Sequence, residues 1–192
     1  DLCRDLKVKI RRIGKLTVAL DRDDLPGIER LHAQGQANGV PGLEIIGPAR
    51  MRQIQPDVRG IAALWSPTSA IISPYGLTIA LAENAKANGV DIRLDWPVAN
   101  VNVLPQGRGF EVRNDRGDML TCRVLVNAAG LFAAKICEMA GVGDYRIYPC
   151  RGEYYVLDRR LDGSLRTLIY PTPNPKDPGL GIHLTPTVDG NI

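Results

Sequence analysis

The chain has 192 residues, 44% of them hydrophobic, enough to fill one large domain or two small cores. Its net charge of +3 is modest, and the basic pairs Arg11-Arg12 and Arg159-Arg160 have no interleaved aromatics, which argues against a nucleic-acid partner. No apolar run approaches a membrane span and the start carries no basic-then-apolar leader, so the sequence reads as cytoplasmic, without an integral membrane segment.

In chain order, a short helix is predicted from Leu2 to Lys7, followed by a half-buried strand over Lys15–Leu20, where Leu16, Val18 and Leu20 alternate with less apolar neighbours. Asp23 and Asp24 offer an N-cap and Pro26 suits a first turn, so a helix carries Ile28, Leu31 and Ala37 and stops at Asn38-Gly39. His32 on this helix has no histidine or cysteine at i+3 or i+4 and reads as a partly exposed helix residue. A second short helix is predicted from Pro48 to Ile54. Residues 66–74 form loop and short strand, and Tyr75–Asn88 places Leu77, Ala80, Leu81 and Ala85 at helical spacing before Asn88-Gly89 ends the helix. Val90, Ile92 and Leu94 predict a strand broken by Pro97. Three further strands follow over 98–103, 110–113 and 119–126, separated by the turns Gln106–Gly109 and Asn114–Gly117.

The run Val124-Leu-Val-Asn-Ala-Ala-Gly130 predicts an apolar strand ending in a turn of very small residues that feeds a helix over 131–140, a geometry suited to a phosphate. The dinucleotide fingerprint G-x-G-x-x-G is missing, because Gly107-x-Gly109 is followed by Val112 and Gly179-x-Gly181 by Leu184. Cys3, Cys122, Cys137 and Cys150 form no C-x-x-C pair and have no histidine at ligand spacing, so no metal site is predicted. After Gly143 the pattern becomes extended over 151–157, 165–170 and 180–184, with a proline-rich loop over 171–178, and antiparallel sheet is the natural reading. Residues 1–70 and 148–192 are expected to meet in one sheet-rich domain, with a nucleotide-type unit over 71–147 inserted between them. Asp1 without an initiator methionine, and the turn Asp189-Gly190 just before Ile192, predict a segment of a longer protein.

Six stretches in order carry a resemblance: Gly14-Lys-Leu-Thr-Val-Ala19, Asn38-Gly-Val-Pro-Gly42, Pro74–Ala85, Val126-Asn-Ala-Ala-Gly-Leu131, Arg151-Gly-Glu-Tyr-Tyr155 and Thr185–Asn191. They resemble the FAD-dependent oxidoreductases of the D-amino-acid-oxidase-like (DAO) family, the group that includes glycine oxidase, glycerol-3-phosphate dehydrogenase and L-2-hydroxyglutarate dehydrogenase. The resemblance implies a mixed α+β and α/β fold, a partial FAD-binding α/β unit with a β-meander inserted in a mostly antiparallel substrate domain. It also implies FAD as cofactor of the parent protein. Val98 would lie by the adenine, and the small turn Ala128, Ala129, Gly130 and Leu131 by the pyrophosphate, in main-chain roles that favour minimal side chains. The principal phosphate loop would lie outside this chain, which by itself is expected to be inactive and free of cofactor. Where the family has a G-I-V-D type sequence this chain has Ala70-Ile-Ile-Ser73, so Ser73 stands in place of an acid.

Flavin oxidation of a secondary alcohol needs a base for the hydroxyl proton and a cationic anchor for the substrate's acid group. Alternation in Leu180–Thr185 puts Gly181, His183 and Thr185 on one face, making His183 the candidate base or, alternatively, a histidine satisfied on the sheet surface. Arg151 is the candidate anchor, with a structural ion pair as its other reading. Tyr170 and one of Tyr154 and Tyr155 are expected to line the pocket; alternation sends the other of the last two to the core. The resemblance implies oxidation of a CH–OH donor by hydride transfer to FAD, the substrate an L-2-hydroxy acid such as L-2-hydroxyglutarate or, alternatively, glycerol-3-phosphate, with an unspecified electron acceptor. From another class, a non-catalytic binding module without flavin fits the missing fingerprint.

Overall fold

The structure, a computed structural model, describes residues 2–161, 163–174 and 181–192. The chain divides into two compact units, Asp1–Val90 together with Tyr155–Ile192, and Asp91–Tyr154. In chain order the first unit holds α1 (Leu2–Asp5), β1 (Ile10–Arg12), β2 (Lys15–Ala19), α2 (Leu25–Ala37), β3 (Glu44–Ile46), α3 (Pro48–Ile54), β4 (Ala62–Ser66), β5 (Ala70–Ile72) and α4 (Pro74–Ala87). The second holds β6 (Val98–Val103), β7 (Phe110–Asn114), β8 (Met119–Cys122) and α5 (Ala133–Met139), after which β9 (Leu168–Pro171) returns to the first.

The main sheet of the first unit runs β3-β4-β2-β9. Strand β2 pairs antiparallel with β4 over Lys15↔Ser66 to Ala19↔Ala62 and parallel with β9 over Lys15↔Leu168 to Val18↔Pro171. One face of the sheet packs Leu16, Val18, Ile46 and Ala63 against Met51 of α3. The other packs Ala19, Ala62 and Leu64 against Ile28 of α2. Strand β2 is therefore buried on both sides, with Leu16 and Ala19 at 0% exposure, where one-sided burial was expected from its alternation. A centrally placed strand covered by helices on both faces has no solvated side for a polar residue to mark.

Helix α2 starts from a single turn of 3₁₀ helix over Arg22–Asp24, in which Asp21 Oδ1 accepts from the Asp23 N–H at 2.9 Å. Asp24 is the N-cap residue of α2, but its carboxylate accepts from the Leu20 N–H at 2.8 Å and makes no cap bond to the helix. Helix α4 is capped in the ordinary way: Ser73 Oγ accepts from the Gly76 N–H at 3.1 Å and Pro74 occupies the first turn. At its far end the Val90 N–H returns to the Ala85 carbonyl at 3.1 Å across Gly89, whose φ is +84°.

The second unit is the meander β6-β7-β8 with α5. Val101 and Val112, opposite one another in register, are its buried apolar pair. Buried Asn114 builds the β7–β8 turn: its Oδ1 accepts from the Arg116 and Asp118 N–H groups at 3.0 and 2.7 Å, and its Nδ2 donates to Asp118 Oδ2 at 2.7 Å. On the exposed side, hydrogen bonds from Arg113 and then Asn102 hold the Glu111 carboxyl below its ordinary pKa.

Three predicted strands are corrected. Residues 90–97 form no strand, and Leu94 is 81% exposed. The strand at 119–126 ends at Cys122, leaving Val126 81% exposed. The segment 151–157 forms none either, and among the described residues of the extended C-terminal region only Leu168–Pro171 is a strand, running parallel to β2 where antiparallel pairing was expected. Where no strand forms, no neighbouring strand among the described residues takes up the ladder hydrogen bonds. No helix among the described residues is long and apolar enough to cross a membrane.

Gly14 sits where β2 and β9 begin to pair, its carbonyl accepting from the Leu168 N–H at 3.2 Å. Its φ is +70°, and a Cβ there would stand 2.0 Å from Trp65 Cη2. Gly14→Ala is expected to cost about 2–4 kcal/mol, left-handed strain and overpacking acting together, as read from urea denaturation. Ser73→Ala is expected to lose about 1 kcal/mol in the same measurement, whereas Ser73→Asp, which keeps a capping oxygen, stays close to the parent.

Candidate functional site

The main sheet delivers a cluster of polar side chains at the edge of β9. Ile169 and Leu184 exchange both backbone hydrogen bonds, at 3.1 and 2.9 Å, as an isolated antiparallel bridge. The next pair outward from such a bridge is Tyr170 with His183, a position without backbone hydrogen bonds where side chains stand closest. Their rings stack with centroids 4.5 Å apart and planes 11° off parallel. Tyr170 Oη also lies 3.4 Å from Thr185 Oγ1, diagonal to it across the bridge. From the other side the parallel register sets Thr17 beside Tyr170, so Lys15, two residues back on the same face, carries its Nζ to 5.6 Å from the Tyr170 ring centroid.

His183 is half-buried, and its Nδ1 lies 3.0 Å from the Gly181 carbonyl oxygen. A carbonyl only accepts, so Nδ1 carries the proton and the basic lone pair of the neutral ring is on Nε2. The sharp path into this segment is made at Gly181, where φ is +68° and a Cβ would stand 2.6 Å from Pro171 Cγ.

The other predicted residues lie elsewhere. Arg151 belongs to the second unit and is largely exposed, with one guanidinium nitrogen 3.6 Å from Glu153 Oε1. Tyr154, in that unit, is 73% exposed, and Tyr155, in the first, is 90% exposed. The expectation that one of these two tyrosines would be core is corrected: without a strand over 151–157 there is no inward face for either. Lys15 was not singled out by the sequence, since only the long-range parallel register brings it to Tyr170.

In the second unit, Val98 opens β6, half-buried opposite Asn114. Residues 124–129 are irregular, and Gly130–Phe132 form a turn of 3₁₀ helix before α5 begins at Ala133, so no strand feeds the helix directly. Asn127 shapes this turn. Its Nδ2 donates to the Ala133 carbonyl at 2.9 Å and lies 3.3 Å from Cys137 Sγ, while its Oδ1 accepts from the Ala129 N–H at 3.3 Å. Gly130 has φ of +55°, and a Cβ on it would meet nothing within 4 Å. With Asn127 tied back to α5 and no charged side chain over 124–130, the main chain of Ala128–Leu131 is open to close approach by a flat or anionic group, which fits a nucleotide cofactor.

Against known proteins, the sequence profile of the DAO family, FAD dependent oxidoreductase, matches residues 1–192. The glycerol 3-phosphate dehydrogenase of Caloramator mitchellensis is 37% identical over 194 residues, covering 100% of this chain and 39% of that protein. The mitochondrial L-2-hydroxyglutarate dehydrogenase of Mus musculus is 30% identical over 202 residues, covering 100% of this chain and 44% of its own length. The chain thus spans less than half the length of these curated relatives. Among solved structures, the dithionite-reduced L-alpha-glycerophosphate oxidase of Mycoplasma pneumoniae with FAD bound superposes with a TM-score of 0.77 at 21% identity, over 96% of this chain and 49% of that one. The glycine oxidase of Bacillus cereus ATCC 14579 gives a TM-score of 0.77 at 21% identity, over 99% and 51%. Those two likenesses are of fold, and they agree with the mixed α/β architecture described above. With a profile matched from the first residue to the last, the chain belongs to the DAO family of FAD-dependent oxidoreductases.

Proposed function

We propose that the protein carrying this chain is an FAD-dependent dehydrogenase or oxidase that oxidises the CH–OH group of a small anionic alcohol, with an L-2-hydroxy acid such as L-2-hydroxyglutarate as its substrate. The observation that carries this reading is the Tyr170–His183 stack with Nδ1 of the histidine on the Gly181 carbonyl. Glycerol-3-phosphate is the second reading, favoured by the 37% identity to the Caloramator mitchellensis enzyme. Residues 1–70 and 148–192 are assigned to the substrate domain and 71–147 to the FAD domain.

In this reading His183 Nε2 takes the hydroxyl proton of the substrate. The imidazole keeps its orientation because Tyr170 stacks on it and Gly181 holds Nδ1, and the positive charge gained is met by that same carbonyl. The Tyr170 hydroxyl, near Thr185, is a polar lining group of the pocket. On the second unit, Tyr154 is a further candidate lining residue, and Arg151 can hold an acid group through two parallel hydrogen bonds. Its exposed 3.6 Å contact with Glu153 is the kind of pair worth little in water, so exchanging it for a substrate carboxylate or phosphate costs little. Val98 and the main chain of Ala128, Ala129, Gly130 and Leu131 would hold FAD, which when bound supplies the acceptor for the carbinol hydride.

His183→Ala in the FAD-loaded protein at the full length of its relatives is expected to lower kcat by about 10²–10⁴ while leaving the flavin absorbance in place. Full turnover in that variant removes histidine as the base, and a protein that stays colourless after FAD addition points to a non-catalytic module. Calorimetric titration of the 192-residue chain alone with FAD is expected to show weak binding or none, and tight binding would show that residues 98 and 128–131 suffice.

A further inference from the structure

We infer that Lys15 is an anion anchor of the site, its ammonium binding the carboxylate or phosphate of the substrate on the same unit that carries His183. The inference rests on the oxidation reading above and adds to it a residue to which the sequence alone gives no role. Lys15 is half-buried at the start of β2, and the register that puts Thr17 beside Tyr170 aims it at the Tyr170 ring. At 5.6 Å from the centroid it is near the outer reach of a cation–π contact, too far for the ring to be its full partner. Among the described residues no carboxylate lies within ion-pairing distance of it.

A half-buried lysine with no carboxylate beside it among the described residues is compensated when an anion arrives. The Tyr170 ring that Lys15 approaches also stacks on the His183 imidazole and carries its hydroxyl 3.4 Å from Thr185 Oγ1, groups that suit the alcohol end of a short bifunctional molecule. Arg151 lies in the other unit, so Lys15 is the cation whose position relative to His183 is set by one sheet.

The test is steady-state kinetics on the FAD-loaded protein at the full length of its relatives, with L-2-hydroxyglutarate and glycerol-3-phosphate as separate substrates and a dye as acceptor. Lys15→Met is expected to raise KM about tenfold or more for whichever anion is turned over, with a smaller change in kcat, and Lys15→Arg to recover most of the loss. In the unsubstituted protein KM should rise with ionic strength, and Lys15→Met should flatten that rise. The substrate that responds tells carboxylate from phosphate. If Lys15→Met folds poorly, Lys15→Arg and the salt dependence of the unsubstituted protein decide: a salt-independent KM overturns the assignment. Normal turnover with KM within twofold in Lys15→Met removes Lys15 and leaves the oxidation reading standing. Turnover of neither anion by the yellow protein removes both.

Discussion

The parallel pairing of β2 with β9 is the constraint on which the rest of the first unit depends. It joins residues 15–18 to residues 168–171, so two stretches at opposite ends of the chain share one sheet. Because β2 is packed on both faces, by α3 below and α2 above, its position is fixed by burial, and β9 inherits that position through the ladder. A slip of one residue in β9 would turn Tyr170 to the opposite face and separate it from both Lys15 and His183. The chemistry proposed for the site is in this sense a property of register.

Helices and tight turns were legible in the sequence because their hydrogen bonds close locally. The predicted bounds of α3 coincide with those observed, and α4 differs by a residue at each end. Turn residues placed the three strands of the meander, with Asn114 and Gly117 at the β7–β8 connection. What was not legible depends on partners remote in sequence. Strands β1 and β3 carry too few residues to show a period and Ala62–Ser66 of β4 shows none; they exist because β5 lies beside β1, β4 beside β3 and β2 beside β4. The alternation of Val90, Ile92 and Leu94 was as regular as that of β2, yet with no described neighbour it forms nothing. The same difference separates the site residues: His183 could be found from local alternation, whereas Lys15 becomes visible only when β9 is laid against β2.

The small-residue turn around Gly130, proposed to face the cofactor, is built without a charged side chain. Asn127 spends its amide and its carbonyl oxygen on the turn itself, holding the chain against the first residues of α5. What is left toward solvent is backbone and apolar side chains, Val126 at 81% and Leu131 at 65% exposure among them. Ser73 is equally undemanding in structural terms, since serine and aspartate both serve as N-caps and its hydroxyl closes the first hydrogen bond of α4.

His183 reaches Tyr170 through the single bridge between Ile169 and Leu184, with a long connection in between. The stacked pair is therefore held by one exchange of backbone hydrogen bonds and not by a continuous strand, so loosening that bridge would part the rings while leaving the pairing of β9 with β2 intact.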